Sequence, residues 1–276
     1  SVPFQNGFGT GPESANLVHL LFSAILLGSV YAIAARLFDR RVGLWAAGLC
    51  LLMPALYQYR LGYLLDYPLT AMVALSFGGL TMWKEAEKPR SQWLWAIAFG
   101  LFFGLAILVK QTALFFLFVP LLWLTIGLLK RRDWRRLFQL AIGLFVSVLI
   151  FGPWAKANWL LMLTSGKRAT VDSAIAEGDP SLTSPDAWTY YFKLLPLHVS
   201  WPLLLVPIVG FSLYFIRKQS LPLHPKKSAL TWLFVYLIGG YFICSLNPNK
   251  DFRYGFPLLP ILSIFLAWGL TLWPRR

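Results

Sequence analysis

Asp66 is the residue whose position most invites a chemical reading. It stands in Arg60-Leu-Gly-Tyr-Leu-Leu-Asp-Tyr-Pro, where an apolar stretch begins. An ionisable group at the edge of hydrocarbon is tolerated when it is paired or bathed by a cavity. A carboxylate held in that way can orient a cation or take the proton of a hydroxyl. A plainer role is open too, because an Asp at a helix start accepts from the first free N–H groups and Pro68 suits a first turn. Lys110, in Gly104-Leu-Ala-Ile-Leu-Val-Lys-Gln-Thr, lies between two apolar runs. It can pair with Asp66, touch a phosphate, or simply snorkel to the headgroups. The turn Asn247-Pro-Asn-Lys-Asp-Phe-Arg-Tyr-Gly-Phe-Pro brings Lys250, Arg253 and Tyr254 close together. A guanidinium fork suits phosphate oxygens and an ammonium adds a point charge, although basic and aromatic residues also serve as interfacial anchors. No Walker loop, HExxH, GxSxG or zinc-ligand set occurs, so no metal site is expected and no cofactor is indicated.

The elements that must position these groups are membrane helices. Hydrophobic residues make up 58% of the 276 and charged residues 13%, about half the charged share of a soluble domain. Nine apolar segments stand out, at 17–37, 42–57, 66–83, 93–109, 112–129, 137–154, 201–216, 230–246 and 256–273. In hydrocarbon the backbone must satisfy its own hydrogen bonds, and these runs lack the period-two alternation of a barrel. The expected architecture is therefore an all-α polytopic bundle of about nine transmembrane helices, with residues 1–276 a single membrane domain. Gly100 and Gly104 form a GxxxG, which points to close helix packing. Cys50 and Cys244 both sit inside apolar runs and read as core residues.

Charge gives the expected orientation. If the spans alternate, one side collects 17 of the 25 basic residues and only four acids, a net +13, leaving eight basic and seven acidic residues opposite. The positive-inside rule makes the first side cytoplasmic. The basic residues cluster between apolar runs and not along one face, which argues against nucleic acid as a partner. Ser1 then falls outside and Arg276 in the cytoplasm, which leads to the expectation of a further helix upstream. The stretch 155–200 is extracytoplasmic and carries Asp172, Asp179, Asp186, Tyr190, Tyr191 and His198. Its aromatics suggest a partly helical lid on the outer face.

A family resemblance runs along most of the chain. Its elements are Ala35-Arg-Leu-Phe-Asp-Arg-Arg-Val-Gly-Leu-Trp-Ala-Ala-Gly leading to Met53-Pro54, Leu65-Asp66-Tyr-Pro-Leu, Gly104 to Lys110, Gly152-Pro153-Trp154 followed by Asn158, and Arg253-Tyr254 running into Pro257 and Pro260. In that order they resemble the family 39 glycosyltransferases of the GT-C class, which include protein O-mannosyltransferases and the aminoarabinose transferase of lipid A. The resemblance implies transfer of a sugar, with inversion, from a polyprenyl-phosphate carrier to a lipid, glycan or protein acceptor on the extracytoplasmic face of a cell membrane. It also implies a principal acid in the first outer loop, a point just before this chain opens, so the expectation is that this acid precedes Ser1. On that reading Asp66 is the catalytic candidate within the chain. Lys110, Lys250 and Arg253 would hold the donor phosphate, and Tyr254 would pack at the donor entrance.

A transporter or flippase of lipid-linked sugars would also need basic groups between helices. It predicts internal repeats and charges near the bilayer midplane, whereas no repeat is visible and the charges fall at segment ends. A non-catalytic membrane scaffold predicts that Asp66 and Lys110 are replaceable.

Overall fold

The computed structural model describes residues 12–60, 62, 64–217 and 227–272. Ser1 and Arg276, the basic residues Lys218, Lys226 and Arg275 counted on the cytoplasmic side, and Trp273 at the end of the last expected segment lie outside the described residues.

Helix α1 (Pro12–Leu37) pairs with α2 (Arg40–Leu52), the reversal being set by Asp39, which caps α2 by accepting from the Val42 N–H at 2.8 Å. Pro54 cannot continue a helix hydrogen-bond ladder. The chain therefore breaks at Met53 and resumes as the short α3 (Pro54–Tyr59). Four longer helices follow: α4 (Asp66–Glu85), α5 (Pro89–Val109), α6 (Ala113–Arg131) and α7 (Trp134–Lys167). A π-helical turn (Arg168–Asp172) leads to the short α8 (Ser173–Glu177), α9 (Pro185–Lys193) and α10 (Leu195–Val199). Then come α11 (Trp201–Arg217), α12 (Lys227–Leu246), a 3-10 turn (Phe252–Leu258) and α13 (Leu259–Thr271).

Helix α4 lies at the centre, packed on α1 and α5, with most of its surface covered. On one flank α5 packs against α7; on the other, α2 packs on α13 and α13 on α11, while α12 pairs with α6. The α5 and α7 backbones approach at the GxxxG. A Cβ added at Gly100 would lie 2.1 Å from the Gly143 carbonyl oxygen, and one at Gly104 would lie 2.7 Å from Ile150 Cβ. Both cysteines are buried and free.

The all-α expectation holds, but the count of nine crossings is not reproduced by length and composition. Among the described residues, six helices are long and apolar enough to cross a membrane, or seven if Pro185–Val199 and Trp201–Leu213 form one span bent by 105°. That bend falls at Ser200, which has a φ of 78°. The expected segment 42–57 is one of those that fall short. Its 13-residue helix α2 rises only about 20 Å at 1.5 Å per residue, against roughly 30 Å of hydrocarbon. The expected end at residue 154 is also corrected, because α7 continues to Lys167. It carries Pro153 and a non-helical Asn158 whose side chain donates to the Trp154 carbonyl at 2.9 Å.

Helix α4 separates two charged layers. At its Glu85 end, Arg36 donates to the Glu85 carbonyl, and Arg136 donates to those of Lys84 at 3.0 Å and Ala86 at 2.8 Å. Arg135 reaches Gln92 in the same layer. Asp66, Lys110 and Arg253 meet at the opposite end, about 30 Å away by helical rise.

Candidate functional site

The N-cap position of α4 belongs to Leu65, so Asp66 is not the cap that the sequence left open. It lies in the first helical turn, where the helix dipole favours a negative charge. Its residue is 4% exposed. One carboxylate oxygen, Oδ1, receives Lys110 Nζ at 2.6 Å, and Oδ2 lies 3.7 Å from Arg253 Nη1. Three segments far apart in sequence thus converge on one buried carboxylate.

Lys110 is placed by a helix ending. Its backbone leaves α5 with φ −159°, and three residues later α6 begins. The side chain reaches across to α4, and Nζ stands 5.4 Å from the centroid of the Tyr254 ring, within cation–π range.

Arg253 is fixed from its own turn. Asp251 caps the 3-10 segment by accepting from the Arg253 N–H at 2.8 Å, and the same carboxylate grips the guanidinium. Arg253 Nε donates to Oδ1 at 2.9 Å and to Oδ2 at 3.1 Å, with Nη2 also on Oδ2. The fork is therefore held by Asp251, and Nη1 is the nitrogen aimed at Asp66. Burial works to raise the Asp251 carboxyl, but the hydrogen bonds from Arg253 and the charges of Arg253 and Lys110 outweigh it and hold the group below the usual carboxylate value. Aromatic packing clamps the turn. Tyr59 lies against Phe252 and Phe256 at centroid distances of 6.0 and 4.9 Å, and His198 lies against the same pair at 4.3 and 5.6 Å. Tyr236 donates to the Pro257 carbonyl at 2.8 Å.

Lys250 is not brought to this cluster. It is 3% exposed, and its Nζ donates to the carbonyls of Ser245 and Asn247, both at 2.6 Å, closing the end of α12. Its backbone N–H donates to Asp179 Oδ2 at 2.7 Å, while Asn249 Nδ2 donates to the Ala169 carbonyl at 2.8 Å. These bonds tie the 155–200 segment to the turn. Burial pushes the Lys250 ammonium below its ordinary value, against the opposing pull of Cys244 and Asp179.

Beside the cluster is a cavity of about 350 Å³. Leu69, Phe115, Phe116, Val171, Ile243 and Leu246 supply apolar walls, and Asp66, Tyr254, Thr112 and Thr170 supply polar atoms. The Thr112 hydroxyl is buried and has no hydrogen-bond partner among the described residues. The cavity thus meets the cluster through Asp66 and Tyr254, and the two cations gathered on Asp66 are partly accessible, the Lys110 and Arg253 side chains being 28% and 33% exposed. Sequence reasoning assigned no role to Asp251 or Thr112. Asp251 stood in the quoted turn next to Arg253, which was the available signal, and Thr112 carried none.

By the family it matches and the fold it shares, the chain falls in the GT-C class of glycosyltransferases. Within it, the chain belongs to the dolichyl-phosphate-mannose-protein mannosyltransferase family, which it matches over residues 6–156. The resemblance read from the ordered motifs is thus borne out at the level of class. Two solved structures share the fold: ArnT from Cupriavidus metallidurans bound to undecaprenyl phosphate (21% identity, TM-score 0.70) and the same protein in the apo state (20%, 0.67). Each match covers 98% of this chain and 48% of the ArnT chain, so the chain spans about half the length of those structures. No curated protein matches.

Proposed function

We propose that the chain forms the carrier-binding part of a membrane glycosyltransferase that moves a sugar from a polyprenyl phosphate to an acceptor on the extracytoplasmic face, with inversion. The observation that carries this reading is the meeting of Asp66, Lys110 and Arg253 at the polar end of an apolar cavity. A polyprenyl phosphate has the matching form: an isoprenoid tail for the apolar walls and an anion for the two cations. Support comes from the family, and from an ArnT structure that shares the fold and holds undecaprenyl phosphate.

In the proposed reaction the acceptor hydroxyl oxygen bonds to the anomeric carbon while the bond from that carbon to the phosphate oxygen breaks. The phosphate keeps the bonding pair. Lys110 and Arg253 neutralise the charge that develops there, in a site of reduced dielectric where fixed cations act strongly. Asp66 takes the hydroxyl proton and keeps the two cations in place when no donor is bound. Tyr254 packs at the entrance under the Lys110 ammonium. Attack from the face opposite the leaving phosphate inverts the anomeric carbon. The end of α4 bearing Asp66 is then extracytoplasmic, and the end bearing Lys84 and Arg136 faces the cytoplasm, in line with the positive-inside rule.

Titration of the purified protein in nanodiscs with undecaprenyl phosphate tests the binding step. Saturable binding is expected, weakened at least tenfold in Lys110→Met, since hydrogen bonds to charged groups are worth about 1.5–3 kcal/mol. Equal affinity for wild type and Lys110→Met would overturn the assignment.

A further inference from the structure

The opposite end of the bundle holds a second cavity, and nothing in the proposed reaction uses it. It measures about 420 Å³ and lies where α4, α6, α7 and α12 come together. Among the described residues its charged lining groups are Lys84, Arg131 and Arg136, with no acid beside them in the lining. Three indoles, Trp83, Trp123 and Trp232, supply much of its wall.

These three cations are differently employed. Arg136 is committed to the Lys84 and Ala86 carbonyls and lies 5.9 Å from the centroid of the Trp83 ring. Lys84 pairs with Glu85 at 2.6 Å and stands 5.8 Å from the Trp232 ring. Arg131, at the end of α6, is exposed and has no partner among the described residues. The two inner indoles have their N–H groups satisfied elsewhere, Trp83 on Gln139 Oε1 at 3.3 Å and Trp232 on Thr81 Oγ1 at 2.8 Å. They present ring surface, while Trp123, about two turns along α6 from Arg131, is half exposed. Below the charges, Leu124 and Leu128 line the groove along α6, and a Cβ at Gly127 would meet nothing within 4 Å, so the groove is open at that point.

We propose that this cavity is a binding site for an anionic phospholipid, with the headgroup phosphate on Arg131 and Lys84 and an acyl chain along the Leu124, Gly127 and Leu128 side of α6. The charge sign selects an anion, and basic pockets between helix ends are a recurrent way to hold anionic headgroups. The apolar groove that continues from the charges selects a lipid over a free phosphate. Binding here is independent of the carrier site, which lies at the other end of α4.

Native mass spectrometry of the detergent-purified protein tests this with phosphatidylglycerol, phosphatidylcholine and inorganic phosphate as probes. Phosphatidylglycerol should be retained and phosphatidylcholine lost, with millimolar phosphate displacing little of the lipid. Arg131→Gln should lower retention roughly fivefold, in keeping with one charge near a membrane surface. Gly127→Leu should lower it by filling the groove. Undecaprenyl phosphate binding, measured in parallel, should be unchanged in both variants and reports that they are folded. Equal retention of the two lipids, full displacement by phosphate, or retention untouched by Arg131→Gln would overturn the proposal. Failure of carrier binding alone would bear on the proposed function and not on this site.

Discussion

The two ends of helix α4 carry the same kinds of residue and use them differently. At the Glu85 end, arginines are spent on backbone: Arg36 and Arg136 donate to carbonyls that the end of α4 leaves free, the usual service of a cation at a helix C-terminus. At the Asp66 end two cations meet side-chain carboxylates, Lys110 on Asp66 and Arg253 on Asp251 and Asp66, beside an apolar cavity that Asp66 lines. A cation bonded to carbonyls is part of the helix ending. A cation bonded to a carboxylate at a cavity rim can exchange that partner for a phosphate. The contrast teaches that bond partners, more than charge counts, separate architecture from chemistry in this fold.

The sharpest break of the comparison is Asp66→Asn. If Asp66 is the base of the proposed reaction, the change should cut sugar transfer by two orders of magnitude or more, the scale of general acid–base effects, with membrane-inserted yield unchanged. Undecaprenyl phosphate binding should persist, because Asp251 still holds the Arg253 fork and the carrier phosphate itself supplies the anion that gathers the two cations. Transfer at the wild-type rate would reduce Asp66 to a tether.

Next in size is Arg253→Ala, expected to weaken carrier binding about tenfold or more. The mirror change at the other end, Arg136→Ala, should leave carrier affinity alone and cost about 1–3 kcal/mol of stability by orphaning two carbonyls, read as a lower melting temperature. If Arg136→Ala weakens carrier binding as much as Arg253→Ala does, the two ends are not distinct.

Asp251→Asn sharpens the same contrast with a smaller effect. It keeps the turn cap but loosens the Arg253 fork, and a severalfold loss of carrier affinity is expected in titration. The pH response follows from the sign of the Asp251 shift. Its folded value lies below the ordinary 3.8, so the pair is fully formed above that value and is lost as pH falls through the folded one. Any contribution of this pair to carrier affinity should therefore be flat from about pH 5 upward. The smallest expected effect is Thr112→Val, which removes an unpartnered hydroxyl from the cavity wall. Affinity should fall a few-fold if the donor uses that hydroxyl, and melting temperature should not fall.

Much of this was legible in the sequence, for reasons tied to particular residues. Hydrocarbon forces helices, so the fold class followed from composition. Asp66 and Lys110 were expected at one end because they bound neighbouring apolar runs that alternate in direction, and the ion pair at 2.6 Å agrees. The break at Met53 was hidden because residues 42–57 stay apolar through Pro54. The run of α7 past residue 154 was hidden by polar residues such as Lys156 and Asn158, which helical backbone accommodates outside hydrocarbon. Lys250 looked like Arg253 in composition, yet it lies before the 3-10 turn and folds back on α12, a distinction made by three residues of backbone. Asp251 reads in a sequence like any solvated turn acid, and only the guanidinium bonds give it a role.

The central claim is that Lys110 and Arg253 act as one phosphate-binding unit gathered by Asp66, and a double-mutant cycle on carrier affinity tests it most directly. Undecaprenyl phosphate is titrated against wild type, Lys110→Met, Arg253→Gln and the double variant in nanodiscs of one lipid composition. Groups that share a ligand and a carboxylate should couple by about 0.5–3 kcal/mol. Each single variant should lose about tenfold, and the double variant should lose clearly less or more than the product of the two. Single losses that simply multiply, or affinity unchanged in all three variants, would contradict it.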